Sequence, residues 1–154
     1  MPFEIRALIF AAACLAVIPA KSAFAATGTT DDGCSLLTQA EVSAALGESS
    51  GPCEYITPTF KGVGTWHVGG STVTVSHQTV SGFSAAKTAF GGKAAITTVS
   101  GVGDDAYYLA VGDQVGLIVK KGGSCFKVAV YKHVPLEQKE AMEKALALKA
   151  VARL

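Results

Sequence analysis

Residues 105–132 read DAYYLAVGDQVGLIVKKGGSCFKVAVYK, and this stretch decides the fold. Three runs rich in β-branched and aromatic residues are separated by two short turns, Gly112-Asp113 and Gly122-Gly123. A glycine-containing pair between such runs is typical of a tight hairpin turn. The sequence therefore predicts an antiparallel meander with strands at 106–111, 114–120 and 124–132.

The two turns also fix which side chains share a face of the meander. The residues predicted on one face are Tyr108, Ala110, Val115, Leu117, Val119, Phe126, Val128 and Val130. The residues predicted on the other face are Tyr107, Leu109, Val111, Ile118, Cys125, Ala129 and Tyr131. Because both faces are largely apolar, and a sheet with one solvated face alternates with polar residues, we expect helices on both sides.

The chain outside the meander supplies the other elements. TQAE at residues 38–41 is a capping box, and it predicts a short helix that ends at Gly47. Two β-rich runs around Gly69-Gly70 predict a hairpin. The remaining predicted elements are a strand at 53–57, hairpin strands at 63–68 and 71–77, a helix at 82–90, and a helix from Pro135 to about Arg153.

These elements define the predicted fold class. The order is α-β-β-β-α-β-β-β-α, which predicts an α+β domain with an antiparallel sheet of about six strands and helices on both faces. In the last helix the apolar spacing predicts one inward stripe. That stripe comprises Ala141, Ala145, Leu148 and Ala152, beside Met142 and Leu146.

The first 25 residues have the organisation of a secretory signal peptide. An apolar run at 7–18 is ended by Pro19, and Ala23-Phe24-Ala25 offers a small-x-small cleavage pattern. The run is too short to span a bilayer as a helix. We expect a signal peptide at 1–25, a flexible leader at 26–33, and a single α+β domain at 34–154 that is periplasmic or secreted.

Cys14 raises the alternative of a lipid anchor. It follows three alanines, as in a loose lipoprotein cleavage site, but Ala11 stands where a larger aliphatic residue is usual. We therefore expect no lipid anchor at Cys14 and no transmembrane segment in the mature chain.

The charge of the mature chain excludes some partners. Removing residues 1–25 takes away two of the 13 basic and one of the 12 acidic residues, so the mature chain carries 11 of each. A neutral domain without a basic stripe lacks the charge that supplies most nucleic-acid affinity. No nucleic-acid partner is predicted.

Three cysteines remain after the signal peptide: Cys34, Cys53 and Cys125. In an exported protein, three cysteines favour one disulfide and one leftover thiol. We favour Cys34 with Cys53, which would join the start of the first helix to the following strand. Cys53 with Cys125 is the alternative, as a bridge between strands. The spacings do not fit a zinc site.

Two motifs resemble a family of small exported bacterial proteins and lipoproteins of unknown function. The first is CSLLT at 34–38, followed by EV at 41–42, LG at 46–47 and then Cys53. The second is GVGDDAY at 101–107, just before the meander. The resemblance implies a PsbP-like α/β/α sandwich, a location in the cell envelope and a disulfide between Cys34 and Cys53. It brings no established activity and no catalytic residues.

The residues with possible chemistry do not form a motif for catalysis. His67 and His77 are on neighbouring predicted strands but on opposite sides of the sheet, so no metal site is predicted. Asp104 and Asp105 are adjacent and diverge on an extended chain, and Asp104 is interpreted as a turn cap. Cys125 is interpreted as a small buried hydrophobe. No cofactor is predicted, since the glycines at 101–106 lack the third one of a dinucleotide fingerprint.

The sequence therefore favours an exported binding or accessory domain of the cell envelope without its own catalysis. Its partner would be an envelope protein or a small molecule. One alternative is a small secreted enzyme with a surface site near Trp66, His67 and Asp104. Another alternative is an inhibitor or partner subunit of a second secreted protein.

Overall fold

The computed structural model describes residues 31–89 and 94–154. In these residues the helices are α1 (Gln39–Leu46), α2 (Val80–Ala89) and α3 (Leu136–Val151), and a single 3-10 turn, Gly33–Ser35, precedes α1. The strands are β1 (Ser50–Thr57), β2 (Phe60–Val68), β3 (Ser71–Gln78), β4 (Ala95–Val99), β5 (Asp105–Val111), β6 (Gln114–Lys121) and β7 (Ser124–Tyr131). The predicted signal peptide at 1–25, Cys14, most of the predicted leader and Phe90 lie outside the described residues.

The strands form one antiparallel sheet in the order β1-β2-β3-β7-β6-β5-β4. The meander has the register that its glycine turns predict: Leu117 pairs with Val128, and Tyr107 pairs with Ile118. The hairpin of β2 and β3 likewise turns at Gly69-Gly70. The turns therefore set the pairing of five strands.

The sheet has seven strands, where the sequence predicted about six. The additional strand is β4, which lies at the edge of the sheet with Ala95 opposite Ala110 and Val99 opposite Ala106. Its sequence, AITTV, has no alternation of polar and apolar residues, and four of its five residues are exposed. The prediction was wrong here because an exposed edge strand buries no face that a pattern could mark.

α1 and α3 cover one face of the sheet and enclose the larger core. Its largest fully buried side chains from the sheet are Trp66, Phe126 and Leu117, and α3 adds Leu146. Burying a large apolar side chain contributes about 1.5–3 kcal/mol relative to leaving it exposed. This face therefore holds most of the hydrophobic stabilisation.

α2 covers one part of the opposite face. Phe83, Tyr107, Ile118 and Cys125 form a second, smaller buried cluster, and the Tyr107 hydroxyl donates to the Phe83 carbonyl at 2.8 Å. Helices thus lie on both sides of the sheet. The cover on this side is incomplete, since Val111 and Tyr131, predicted to be covered, are 48% and 43% exposed.

α3 presents a different face to the sheet from the one predicted. Its buried residues are Lys139, Glu143, Leu146, Ala147 and Ala150. Of the predicted stripe, Ala141, Ala145, Leu148 and Ala152 are exposed. The prediction was wrong because it assigned the charged side chains to the solvent, whereas Lys139 and Glu143 lie inward.

The N-terminal segment is joined to the sheet by a disulfide between Cys34 and Cys53. The 3-10 turn lies directly on β2, and a Cβ at Gly64 would overlap Cys34 N and Cys53 Sγ. Asp32 is part of this contact, since its carboxylate accepts hydrogen bonds from Cys34 N and the Tyr55 hydroxyl. Cys125 is the free cysteine of the described residues.

Candidate functional site

The structure does not bring Trp66, His67 and Asp104 together. Trp66 is fully buried in the larger core, and its Nε1 has no hydrogen-bond partner. His67, the next residue of β2, is exposed on the opposite face of the sheet. Strands β3, β7 and β6 lie between β2 and the segment that carries Asp104.

Asp104 forms hydrogen bonds with neighbouring residues of the fold. Its carboxylate accepts hydrogen bonds from Gly122 N at 2.6 Å and Lys121 Nζ at 2.9 Å, and its own N–H donates to the Lys120 carbonyl. The bond from the Gly122 N–H, and next the bond from Lys121, lower the pKa of the Asp104 carboxyl. These contacts fasten the start of β5 to the turn between β6 and β7.

Cys125 and His77 occupy structural positions. Cys125 is fully buried beneath α2, and burial raises the pKa of its thiol. His77 Nε2 lies 3.0 Å from the Asp31 carboxylate. Among residues 31–89 and 94–154, no three His, Cys, Asp or Glu side chains form a group that could hold a metal ion.

Polar groups instead converge where β6 and β7 separate. The β6–β7 ladder ends at Leu117 and Val128, although β6 stays paired with β5 to Gln114 and β7 stays paired with β3 to Tyr131. Residues 114–116 of β6 and 129–131 of β7 are therefore unpaired with each other, and we call this region the strand split.

Glu143 of α3 reaches the strand split from the side of the larger core. Its Oε1 accepts a hydrogen bond from Val130 N at 2.9 Å, two residues beyond the last β6–β7 pair. The carboxyl group thus occupies an N–H that β6 has left free. Glu143 is fully buried, and its Oε2 has no hydrogen-bond partner.

The surroundings of Glu143 keep its carboxyl protonated at neutral pH. Burial raises its pKa to about 8, although the Val130 N–H and the ammonium groups of Lys127 and Lys139 act in the opposite direction. The Glu140 carboxylate adds to the increase in the pKa. Lys127 and Lys139 are therefore close enough to Glu143 to affect its charge.

The positions of both lysine side chains are set by the backbone at or next to the strand split. Lys127 lies across Gly116, where a Cβ would overlap its Cε, so glycine makes room for the side chain. Lys139 is only 6% exposed, and its Nζ donates to the Asp113 carbonyl at 2.8 Å. In the described part of the chain, neither lysine forms an ion pair.

Three adjoining cavities open at this end of the sheet, of about 460, 220 and 190 Å³. The first and second share Asp113, His133 and Lys139. The second and third share Gln114 and Tyr131. We call the three cavities together the cleft, and it is the candidate functional site of this structure.

The sequence did not predict the cleft. The available signal was the pair Lys139 and Glu143, which are four residues apart and so share one face of α3. On the inward face of a helix, such a pair indicates a polar site rather than core. The pair could be recognised as a polar site only if the face of α3 that packs on the sheet was known.

The arrangement suits binding better than acid–base chemistry. Glu143 is closed off from solvent, and His133 is exposed without a hydrogen-bonded side-chain partner in the described residues. General acid–base catalysis needs a titratable group within hydrogen-bond reach of the reacting atom. The cleft instead offers fixed charges and hydrogen-bond donors around an open volume.

Comparison of the chain with protein families, curated proteins and solved structures finds no match. Across the helices of residues 31–89 and 94–154, none combines the length and the apolar character needed to cross a bilayer.

Proposed function

We propose that this protein is an exported binding or accessory domain of the cell envelope, and that it binds its ligand or partner in the cleft without converting it. The observation that carries the proposal is that three adjoining cavities open at one end of the sheet, two of them lined by residues of the strand split. A sheet that opens at one end, with the buried side chains of Lys139 and Glu143 close to the opening, forms a concave site with a few placed polar groups.

Export is supported by two independent features. Residues 1–25 have the pattern of a signal peptide, and the Cys34–Cys53 disulfide fits an oxidising compartment. We also propose a PsbP-like arrangement for the domain, with which an antiparallel sheet between helices on both sides is compatible.

Localisation is tested by fractionating cells that produce the full chain and sequencing the N-terminus of the recovered protein. We expect periplasmic or secreted protein that begins at or near Ala26. A chain recovered from the cytoplasm that still begins at Met1 would contradict export. A chain that begins at a lipidated Cys14 would replace the soluble form with an anchored one.

Binding in the cleft is tested by photo-crosslinking in intact cells. A photoreactive amino acid replaces the exposed His133 in one variant and the exposed Thr57, on the far edge strand β1, in the control. We expect a defined adduct at position 133 and none at position 57. Adducts at both positions, or at neither, would contradict a binding site in the cleft.

The identity of the adduct also distinguishes a small-molecule ligand from a protein partner. A small molecule at position 133 identifies a ligand, whereas a second envelope protein identifies a partner or the target of an inhibitor. Incubating the recovered molecule with purified protein then tests for catalysis. Recovery of the molecule unchanged supports binding, and its conversion would establish the enzyme alternative.

A further inference from the structure

We propose that the ligand of the cleft carries a small oxyanion, a carboxylate or a phosphate, and that Lys139 Nζ is its main contact. This inference rests on the proposed function, since it assigns a ligand class to the same site. Charge, unused hydrogen-bonding capacity and volume each support it.

The charges that line the cleft are mainly positive. Three lysines line its cavities, Lys127, Lys132 and Lys139, and Asp113 is the acidic residue in the described lining. Lys132 already has a partner, since its Nζ lies 2.7 Å from the Glu48 carboxylate. The ammonium groups of Lys127 and Lys139 exceed the one carboxylate of Asp113, so the site complements an anion.

Lys139 has unused donor capacity in a buried position. An ammonium group has three donors, and Lys139 uses one of them on the Asp113 carbonyl. Withdrawing a charged group from water is unfavourable unless the group is paired and hydrogen-bonded. Lys139 lines two of the three cavities, so an oxyanion there would supply both the charge and the missing acceptors.

Glu143 does not cancel this charge at neutral pH. Burial raises its pKa to about 8, so its carboxyl is mostly protonated at pH 7. The Oε2 atom has no hydrogen-bond partner in the described residues. Lys127 and Lys139 therefore remain available to an anion, although a fully buried carboxyl lies near both.

The volume of the cleft fits a small molecule with such a group. The two cavities that share Lys139 measure about 460 and 220 Å³. Small-molecule sites typically occupy roughly 300–1,000 Å³. The cleft is open to solvent and has room for the anionic group and part of the molecule that carries it.

The experiment is an NMR titration of the isotope-labelled mature chain with two probes, inorganic phosphate and succinate. Ionic strength is held constant with sodium chloride, because screening alone shifts exposed amides. We expect saturable shifts confined to amides of residues 112–116 and 131–134. Saturation by phosphate alone assigns a phosphate group, and saturation by succinate alone assigns a carboxylate.

Two variants on α3 separate a specific contact from general charge. Lys139→Met keeps an unbranched side chain of similar length and removes the ammonium, and we expect at least tenfold weaker binding. Lys144→Met removes the same charge from the same helix away from the cleft, and it should change the affinity less than twofold. Equal loss in both variants would overturn the role of Lys139.

A third variant should change the affinity in the opposite direction, and it does not replace a buried residue. Asp113→Asn removes an exposed carboxylate from the lining, so we expect about threefold tighter binding of the probe, as the loss of one partly screened repulsion predicts. Unchanged or weaker binding would contradict an oxyanion site, even if Lys139→Met failed to fold.

Failure of this inference is distinguishable from failure of the proposed function. If neither phosphate nor succinate saturates, the oxyanion assignment is wrong. The adduct at position 133 detects a ligand of any charge, so its appearance would still support binding in the cleft. If no adduct forms at position 133 and neither probe saturates, both the oxyanion assignment and the binding site in the cleft are contradicted.

Discussion

Glu143→Gln is the substitution that most sharply tests the chemistry of the strand split. Glutamine keeps an oxygen that can accept the Val130 N–H, and it replaces a titratable group by a neutral one of nearly the same shape. Any difference in pH dependence between the variant and the natural protein then reports on the Glu143 proton alone. All other titratable groups are common to both proteins.

The sign of the effect follows from the pKa. Burial raises the pKa of Glu143 from 4.5 to about 8, so the folded protein holds the proton more tightly than the unfolded chain. The associated stability is fully present below pH 4.5 and is lost as the pH rises towards 8. At about 1.4 kcal/mol per pKa unit, the loss between pH 5 and pH 8 is on the order of 3 kcal/mol.

The assay is urea unfolding of both proteins at several pH values between 5 and 8. We expect similar free energies of unfolding at pH 5, and a variant that is more stable by roughly 3 kcal/mol at pH 8. A difference that stays constant with pH would refute the buried, protonated carboxyl. A variant that becomes the less stable of the two as the pH rises would show that the carboxylate is ionised in the folded protein.

Three further predictions concern the fold. Leu117→Ala removes a fully buried side chain from the larger core and should cost about 2–5 kcal/mol in urea unfolding, and Ile118→Ala, beneath α2, should cost more than the roughly 0.5 kcal/mol of a surface change. Gly64→Ala places a Cβ against the 3-10 turn, so the midpoint of thermal unfolding should fall by several degrees. The buried Cys125 thiol should react slowly with iodoacetamide, as followed by mass spectrometry, and rapid reaction in the folded protein would contradict its position.

The sequence predicted the centre of the sheet well because short turns leave few choices of register. Gly112-Asp113 and Gly122-Gly123 each join two apolar runs, and the pairing of Leu117 with Val128 follows directly. Strand β4 was not predictable in the same way. Its pairing with β5 comes from tertiary contact, since AITTV is short, exposed and without alternation.

The cleft could not be predicted from the sequence, for a different physical reason. Periodicity arguments place charged residues outward, so they could not orient a helix whose inward face carries Lys139 and Glu143. The strand split likewise depends on where β6 leaves β7, and Gly116 is the one local sign of it. The alternative surface site near Trp66, His67 and Asp104 is not formed, because alternation along β2 places Trp66 in the core and His67 on the opposite face.

Native mass spectrometry of protein recovered from the cell envelope under non-denaturing conditions shows whether the cleft holds an anionic ligand through Lys139. We expect that the natural protein carries a bound small anion, that the Lys144→Met variant retains it, and that the Lys139→Met variant has lost it. The same bound molecule on all three proteins, or none on the natural protein, would contradict anion binding through Lys139.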